Sequence, residues 1–273
     1  MQPIFRFAPS PNGHLHLGHA YSALLNARMA ADRGGRFLVR IEDIDTQRCT
    51  DQLVADCLED LAWLGLTWEE PVLRQSHRIG VYRAEAVKLE AMGLTYPCFC
   101  TRRDIARTAV GLDPDGAPRY PGSCKALAHH ERKARIAAGE PFALRLDLAA
   151  SVPEFGPFSW RDEGANIKAD VSWSDVVILR KDIGVSYHLA VVIDDAMQGI
   201  THVVRGMDLF AQTAIHRCLQ KLLKLPEPVY HHHRLVLDED GQKLAKSAFA
   251  TPLRQMRVNG VSAHSIKTSL GFS

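Results

Sequence analysis

The 273-residue chain is 46% hydrophobic and 23% charged, with a formal charge of only +2 and a sequence pI of about 8.2. This is an ordinary globular composition, which excludes a disordered polyelectrolyte and supplies no global basic field to announce nucleic acid. No apolar run approaches the roughly 18 residues of a membrane span, and the opening MQPIFRFAPSP lacks the basic and apolar regions of a secretion signal, so a cytoplasmic protein with no membrane partner is expected.

Taken in chain order, IFRFAPS reads as a short strand ending in a breaker cluster. LGHAYSALLNARMAADRG carries apolar residues at helical spacing, closed by Gly34. RFLVRIED is a buried-strand pattern; DQLVADCLEDLAWLGL and RIGVYRAEAVKLEAMG are amphipathic helices. Alternation of this kind predicts crossover units and a parallel sheet. Between about 95 and 170 it gives way to prolines, glycines and a cysteine cluster, read as an insertion. It resumes with DVVILRKD, SYHLAVVIDDAMQG, THVVRG and the helix DLFAQTAIHRCLQKLLKL. Asp240-Gly241 then marks a turn between short apolar runs. The expected architecture is α/β, with a Rossmann-like doubly wound parallel sheet from residues 1–94 and 171–250, an inserted subdomain at 95–170 and a short tail at 251–273. The internal triplet His231, His232 and His233 is expected on a solvated surface.

Three groups of residues could carry chemistry. In an open parallel sheet, ligands bind beyond the carboxyl ends of the strands, and a helix N-terminus there offers free N–H groups and a positive dipole end to phosphate. PSPNGHLHLGHA occupies that place. Gly13 and Gly18 allow close backbone approach, and His16 and His19, three apart, share one helical face. Imidazoles there can donate hydrogen bonds to a phosphoryl group as its charge shifts. His14 lies outside HLGH and is expected as a surface turn residue. No GxGxxG follows the first strand and no GxxxxGK[ST] occurs, which disfavours a dinucleotide site and a Walker-type NTPase. The second group is KLAKS, where Lys243 and Lys246 sit three apart on a loop. The third is Cys98, Cys100 and Cys124, three soft zinc ligands where a structural zinc wants four; Tyr120, Asp104 and His129 are each available as the fourth. Cys49, Cys57 and Cys218 stand singly and read as core residues.

HLGH resembles the HIGH motif of the class I aminoacyl-tRNA synthetases, and KLAKS resembles their KMSKS loop. RFAPSPNGHLHLGHA and RIEDID are similar to the glutamyl branch of that class, and the resemblance runs from residue 5 to about 250. The small remainder after the lysine loop, with the cysteine insertion, resembles the glutamyl-queuosine tRNA(Asp) synthetases, stand-alone catalytic domains that attach glutamate to the queuosine base of the tRNA(Asp) anticodon. Asn12 and Ala245 depart from the family pattern, but neither change removes a charge.

The resemblance implies ATP, L-glutamate and tRNA(Asp) bearing queuosine as substrates, Mg²⁺ with ATP, one structural Zn²⁺ per chain, and a monomer. It implies that His16, Gly18, His19 and Lys246 bind ATP, with Lys243 and Lys246 closing over the leaving pyrophosphate. Arg6, Ala8, Ser10, Glu42, Tyr187 and Arg205 are the matching positions of the glutamate pocket. There the arginines suit the carboxylates, Glu42 the α-ammonium, and Tyr187 the pocket wall; which arginine takes which carboxylate stays open. For zinc it selects Tyr120 beside Cys98, Cys100 and Cys124. The basic groups Arg102, Arg103, Arg107 and Arg132, Lys133, Arg135 suit RNA phosphates or a solvated face equally. The rival readings are a truncated glutamyl-tRNA synthetase charging a tRNA 3′ end, a metabolic nucleotidyltransferase with a HIGH-type turn, and an idle zinc-bearing RNA-binding paralogue.

Overall fold

The computed structural model describes residues 2–155, 159–169, 172–236 and 251–272. In chain order the elements are β1 (Ile4–Phe7), α1 (Leu17–Asp32), β2 (Arg36–Ile41), α2 (Asp51–Trp63), β3 (Glu69–Arg74), α3 (Ile79–Ala91), β4 (Thr95–Cys98), α4 (Arg102–Thr108) and α5 (His129–Ala137). They continue through β5 (Ala143–Leu146), α6 (Leu148–Phe155), β6 (Ser159–Asp162), β7 (Ala165–Lys168), β8 (Val177–Leu179), α7 (Tyr187–Met197), β9 (His202–Gly206), α8 (Thr213–Leu222), β10 (Val229–His233), α9 (Leu253–Val258) and α10 (Ala263–Ser269). The chain divides into two units: residues 1–77, 199–208 and 228–273 form one, and residues 78–198 and 209–227 the other. No described helix is long and apolar enough to cross a membrane.

In the first unit the strands lie in the order β3-β2-β1-β9-β10, all parallel. That is the order of a doubly wound nucleotide-binding sheet, as the alternation predicts. The β1–α1–β2 crossover closes where Gly35 meets the chain start: a Cβ there would stand 2.7 Å from the Pro3 carbonyl oxygen, which accepts from Arg36 N at 2.8 Å. Thr50 caps α2 by accepting from Leu53 N. Asn26, fully buried on α1, donates to Ser22 O and, at 3.1 Å, to Val204 O, tying the helix to β9. The core under the sheet joins Phe7, Val39 and Ile41 to Ala20, Ala23 and Leu24 of α1 and to Val54, Cys57 and Leu61 of α2. Leu253 and Ile266 enter the same core from α9 and α10, so the segment read as a plain tail is packed structure. Six-residue and seven-residue helices are too short for a periodic pattern to reveal.

Two readings change here. The triple histidine is not on a solvated surface: it ends β10, where His232 and His233 are 5% and 7% exposed. A parallel strand is covered on both faces, so polar residues at its end are buried with it. DVVILRKD, assigned to the resumed parallel alternation, instead supplies β8, which pairs antiparallel with β5 in the second unit. A short apolar run carries no record of its partner strand.

The second unit holds the three-stranded sheet β4-β5-β8 and the antiparallel pair β6–β7. Asp194, fully buried on α7, accepts from Arg78 Nε at 2.8 Å and Tyr82 Oη at 2.7 Å, fixing α3 against α7. Cys49 and Cys57 are buried in the first unit and Cys218 in the second.

Candidate active site

The first unit gathers most of the residues singled out in the sequence at the carboxyl ends of its strands. Arg6 lies on β1, Glu42 directly after β2, and Arg205 on the last turn of the pleat of β9; they are 3%, 7% and 5% exposed. Ala8 and Ser10 follow β1 in the loop to α1, and Pro9 O accepts from Glu42 N at 2.9 Å, which ties that loop to the end of β2. Arg40, fully buried on β2, donates from Nη2 to Glu42 Oε1 at 3.0 Å and so orients the carboxylate. The next residue in RIEDID does something else: Asp43 accepts from Arg74 Nε, Ser76 N and Ser76 Oγ, each at 2.8 Å, and anchors the end of β3.

HLGH is a helix start in which histidines do the capping. His16 is the N-cap of α1, and its Nδ1 accepts from Gly18 N at 3.1 Å; His19 Nδ1 accepts from His16 N at 3.2 Å. This is the reciprocal geometry of a capping box, with imidazoles in place of the usual hydroxyl and carboxylate. It fixes the chemistry of both rings. A ring nitrogen that accepts carries no proton, so each neutral imidazole keeps its hydrogen on Nε2 and presents a donor away from the backbone. Burial lowers the pKa of His16, and burial followed by the neighbouring His16 lowers that of His19 to about 3, so both stay neutral at ordinary pH. The rings lie 3.8 Å apart between centroids. Gly18 makes room for them: a Cβ there would stand 3.0 Å from His16 Cε1. His14 is exposed, 3.5 Å from Asp56 Oδ2, and takes no part in the cap.

Tyr187 belongs to the second unit, as the first residue of α7, with its ring edge-on to His216 at 5.4 Å. Lys243, Ala245 and Lys246 lie outside the described residues, as does the Asp240-Gly241 turn.

In the second unit the Sγ atoms of Cys98, Cys100 and Cys124 lie within 4.8 Å of one another, with Cys100 and Cys124 3.5 Å apart. Tetrahedral zinc with Zn–S bonds near 2.3 Å holds its sulfurs about 3.8 Å apart, so the spacing fits. Of the three residues considered for the fourth position, Tyr120 touches the cluster: its hydroxyl accepts from Cys124 N at 2.8 Å and hydrogen-bonds Cys98. Asp104 instead caps α4 through Thr101, and His129 is exposed at the start of α5. Burial and the neighbouring Cys124 and Cys98 push the Cys100 thiol up to about 12, so three thiolates this close need a cation to coexist. Arg145, 3.8 Å above the Tyr120 ring, packs the hydroxyl's own ring in place.

Sequence reasoning missed Arg40 as the partner of Glu42 and Asp43 as an anchor of β3, and also His232, whose Nε2 accepts from Arg205 Nε, and Tyr230, whose ring lies beside that guanidinium. The signal available was the burial pattern of β2, and a histidine run at the end of a strand.

The chain from residue 4 to 268 matches the family model described as tRNA synthetases class I (E and Q), catalytic domain. It is 47% identical to the glutamyl-Q tRNA(Asp) synthetase of Rhodobacter capsulatus, over 98% of this chain and 100% of that protein. To the glutamyl-Q tRNA(Asp) synthetase of Symbiobacterium thermophilum it is 40% identical, over 98% of this chain and 85% of the other. A crystal structure of a glutamate tRNA ligase from Elizabethkingia meningosepticum in complex with its amino acid superposes with a TM-score of 0.75 at 25% identity, covering 95% of this chain and 53% of that one. With the doubly wound sheet and the histidine helix cap in place, these matches establish that the chain belongs to the catalytic-domain family of the class I tRNA synthetases for glutamate and glutamine.

Proposed function

We propose that the chain is a ligase that activates L-glutamate with ATP and transfers it to the queuosine base in the anticodon of tRNA(Asp). The observation that carries this reading is the 47% identity to a glutamyl-Q tRNA(Asp) synthetase along that relative's whole length. The site adds physical support: two buried arginines and a buried carboxylate at adjacent strand ends suit an amino acid with two carboxylates and one ammonium.

In the first step a glutamate α-carboxylate oxygen attacks the α-phosphorus of ATP; the bond to the bridging oxygen breaks and pyrophosphate leaves. Such transfer depends on positioning and charge stabilisation. The Nε2–H groups of His16 and His19 donate to the phosphates without adding a titratable charge. Arg6 and Arg205 take the carboxylates, Glu42 held by Arg40 takes the α-ammonium, and Ala8 and Ser10 contact the amino acid from the loop after β1; Tyr187 is the remaining glutamate-binding position that the resemblance assigns. Lys243 and Lys246 neutralise the departing pyrophosphate. Mg²⁺ entering with ATP would supply further screening of the phosphate charge. In the second step a hydroxyl of the modified base attacks the acyl carbon, AMP leaves with the bonding pair, and its phosphate takes up the proton. Cys98, Cys100, Cys124 and Tyr120 would hold zinc as a structural cross-link, and no step requires it.

The test has two parts. ATP–pyrophosphate exchange scanned over the amino acids in the presence of tRNA(Asp) should respond to glutamate. Labelled glutamate should then be retained on tRNA(Asp) that carries queuosine and not on tRNA(Asp) that lacks it. Label recovered on the 3′-terminal adenosine, indifferent to queuosine, overturns the acceptor assignment in favour of a glutamate tRNA ligase. Exchange with no amino acid at all overturns the activation chemistry.

A further inference from the structure

The buried end of β10 carries a motif that the reaction as described leaves unused. Arg205 and His232 are level in the parallel pairing of β9 with β10, and both are 5% exposed. Arg205 Nε donates to His232 Nε2 at 3.1 Å. The same guanidinium lies 5.5 Å from the centroid of the Tyr230 ring, which is parallel to the His232 ring at 5.9 Å and 2°. Residues two apart on a strand share a face, so Tyr230 and His232 together form one wall against Arg205. The next histidine is otherwise engaged: His233 Nδ1 donates to Arg234 O at 2.8 Å, and its ring meets Tyr21 edge-on at 5.1 Å.

Arginine only donates, so His232 Nε2 must accept, and the ring proton of the neutral imidazole is on Nδ1. That choice of acceptor matters for a cation meant to bind a carboxylate. An Asp or Glu in this place would fix the guanidinium but neutralise it and compete with the incoming anion. A neutral imidazole fixes the guanidinium plane and adds no negative charge, and the Tyr230 ring face adds attraction of the same kind.

We propose that His232 is a positioning residue for substrate recognition, holding Arg205 in the orientation in which it receives a glutamate carboxylate. The inference rests on the reading that Arg205 binds glutamate. Two variants of equal polarity separate positioning from mere packing. In His232→Gln the side-chain oxygen reaches the place of Nε2; in His232→Asn it stops one bond short, nearer Nδ1. A hydrogen bond to a charged group corresponds to about a 10- to 100-fold change in affinity. His232→Asn should therefore raise the KM for glutamate by about that factor in glutamate-dependent exchange with tRNA(Asp) present, while kcat and the KM for ATP change less than about threefold. His232→Gln should restore the glutamate KM to within a few-fold. In the unaltered chain, ¹⁵N NMR of labelled histidine should find His232 protonated on Nδ1. Glutamate-dependent exchange in which His232→Asn leaves the glutamate KM unchanged, in which Gln and Asn behave alike, or in which His232 is protonated on Nε2 overturns the inference and leaves the proposed function standing. Exchange that does not respond to glutamate in the unaltered chain overturns the proposed function, and the inference with it.

Discussion

His16 caps α1 and is proposed to bind phosphate, and substitution can divide the two. Its Nδ1 accepts from Gly18 N at 3.1 Å, while its Nε2–H, directed away from the backbone, is the proposed phosphate donor. His16→Ala removes both. Loss of an N-cap costs about 1 kcal/mol, which in a chain of this size lowers Tm by roughly 2 °C, with 4 °C as an upper figure. Loss of one donor to a charge that develops in the transition state lowers the rate by about 10²- to 10³-fold. His16→Asn keeps a preferred cap whose side-chain oxygen can take the same backbone N–H, but it places no donor where Nε2–H stands. Tm in the Asn variant should therefore stay within about 1 °C of the unaltered chain, while glutamate-dependent ATP–pyrophosphate exchange remains down by about 10²-fold or more. Scanning calorimetry and the exchange assay, run on the two variants side by side, check both halves. Near-normal exchange in His16→Asn would refute the reasoning, because the imidazole would then be a cap and nothing more. An Ala variant with unchanged Tm would equally refute the capping half.

Gly18→Ala should separate stability from activity in the opposite direction. Alanine is the better helix former by about 1 kcal/mol, yet its Cβ would meet His16 Cε1 at 3.0 Å and displace the ring, so Tm should hold or rise while exchange falls at least about tenfold. His19, with its pKa lowered from 6.5 to about 3 by burial and by His16, favours the folded state only when neutral. Its contribution to stability is complete above about pH 6.5 and is lost progressively as pH falls toward 3. Tm measured against pH should show a drop in that window that His19→Gln flattens, and an NMR titration of His19 with a midpoint near 6.5 would contradict it. Protein purified without chelator should contain one zinc per chain. Cys124→Ser should abolish retention, and Tyr120→Phe should weaken it while the three sulfurs remain; metal analysis without zinc in the unaltered chain would remove the assignment.

The first half of the sheet was legible because its strands and helices are long enough to show their period, and the histidine turn because it sits where a parallel sheet binds ligands. What escaped has physical reasons. The capping role of HLGH is not readable from residue types, since histidine is a poor candidate for an N-cap on preference alone. The triple histidine looked like surface because imidazoles are polar, whereas a covered parallel strand end buries them and uses one as an acceptor. Glu42 and Asp43 are adjacent carboxylates with nothing in the sequence to assign their partners. One is oriented by Arg40 beside the loop after β1, and the other is bound by Arg74 and Ser76 as an anchor of β3. The α9 and α10 helices were invisible because each is under two full turns, yet their Leu253 and Ile266 fill the same core as β1 and α2. Spacing leaves Tyr120, Asp104 and His129 all in reach of the cysteines; the family resemblance selects Tyr120, whose hydroxyl accepts from Cys124 N and hydrogen-bonds Cys98.

The strand ends themselves argue for binding over architecture. Arg6, Arg40, Glu42 and Arg205 are each at most 7% exposed, on or just after strands β1, β2 and β9, whose remaining positions are largely Phe, Val, Leu and Ile. Taking a charge out of water carries a penalty of several kcal/mol, which ion pairing offsets only in part, and well-packed apolar side chains of similar volume often give equal or greater stability. Arginines at the ends of β1 and β9 and a carboxylate at the end of β2 are what the proposed glutamate site needs, since a ligand carrying two negative groups and one positive group has a charge to meet each of them. The same logic explains why the supports differ in kind. Glu42, which is to meet an ammonium, is steadied by a cation at Arg40. Arg205, proposed to meet a carboxylate, donates to His232 Nε2 and lies beside the Tyr230 ring, groups that orient a guanidinium and add no negative charge of their own.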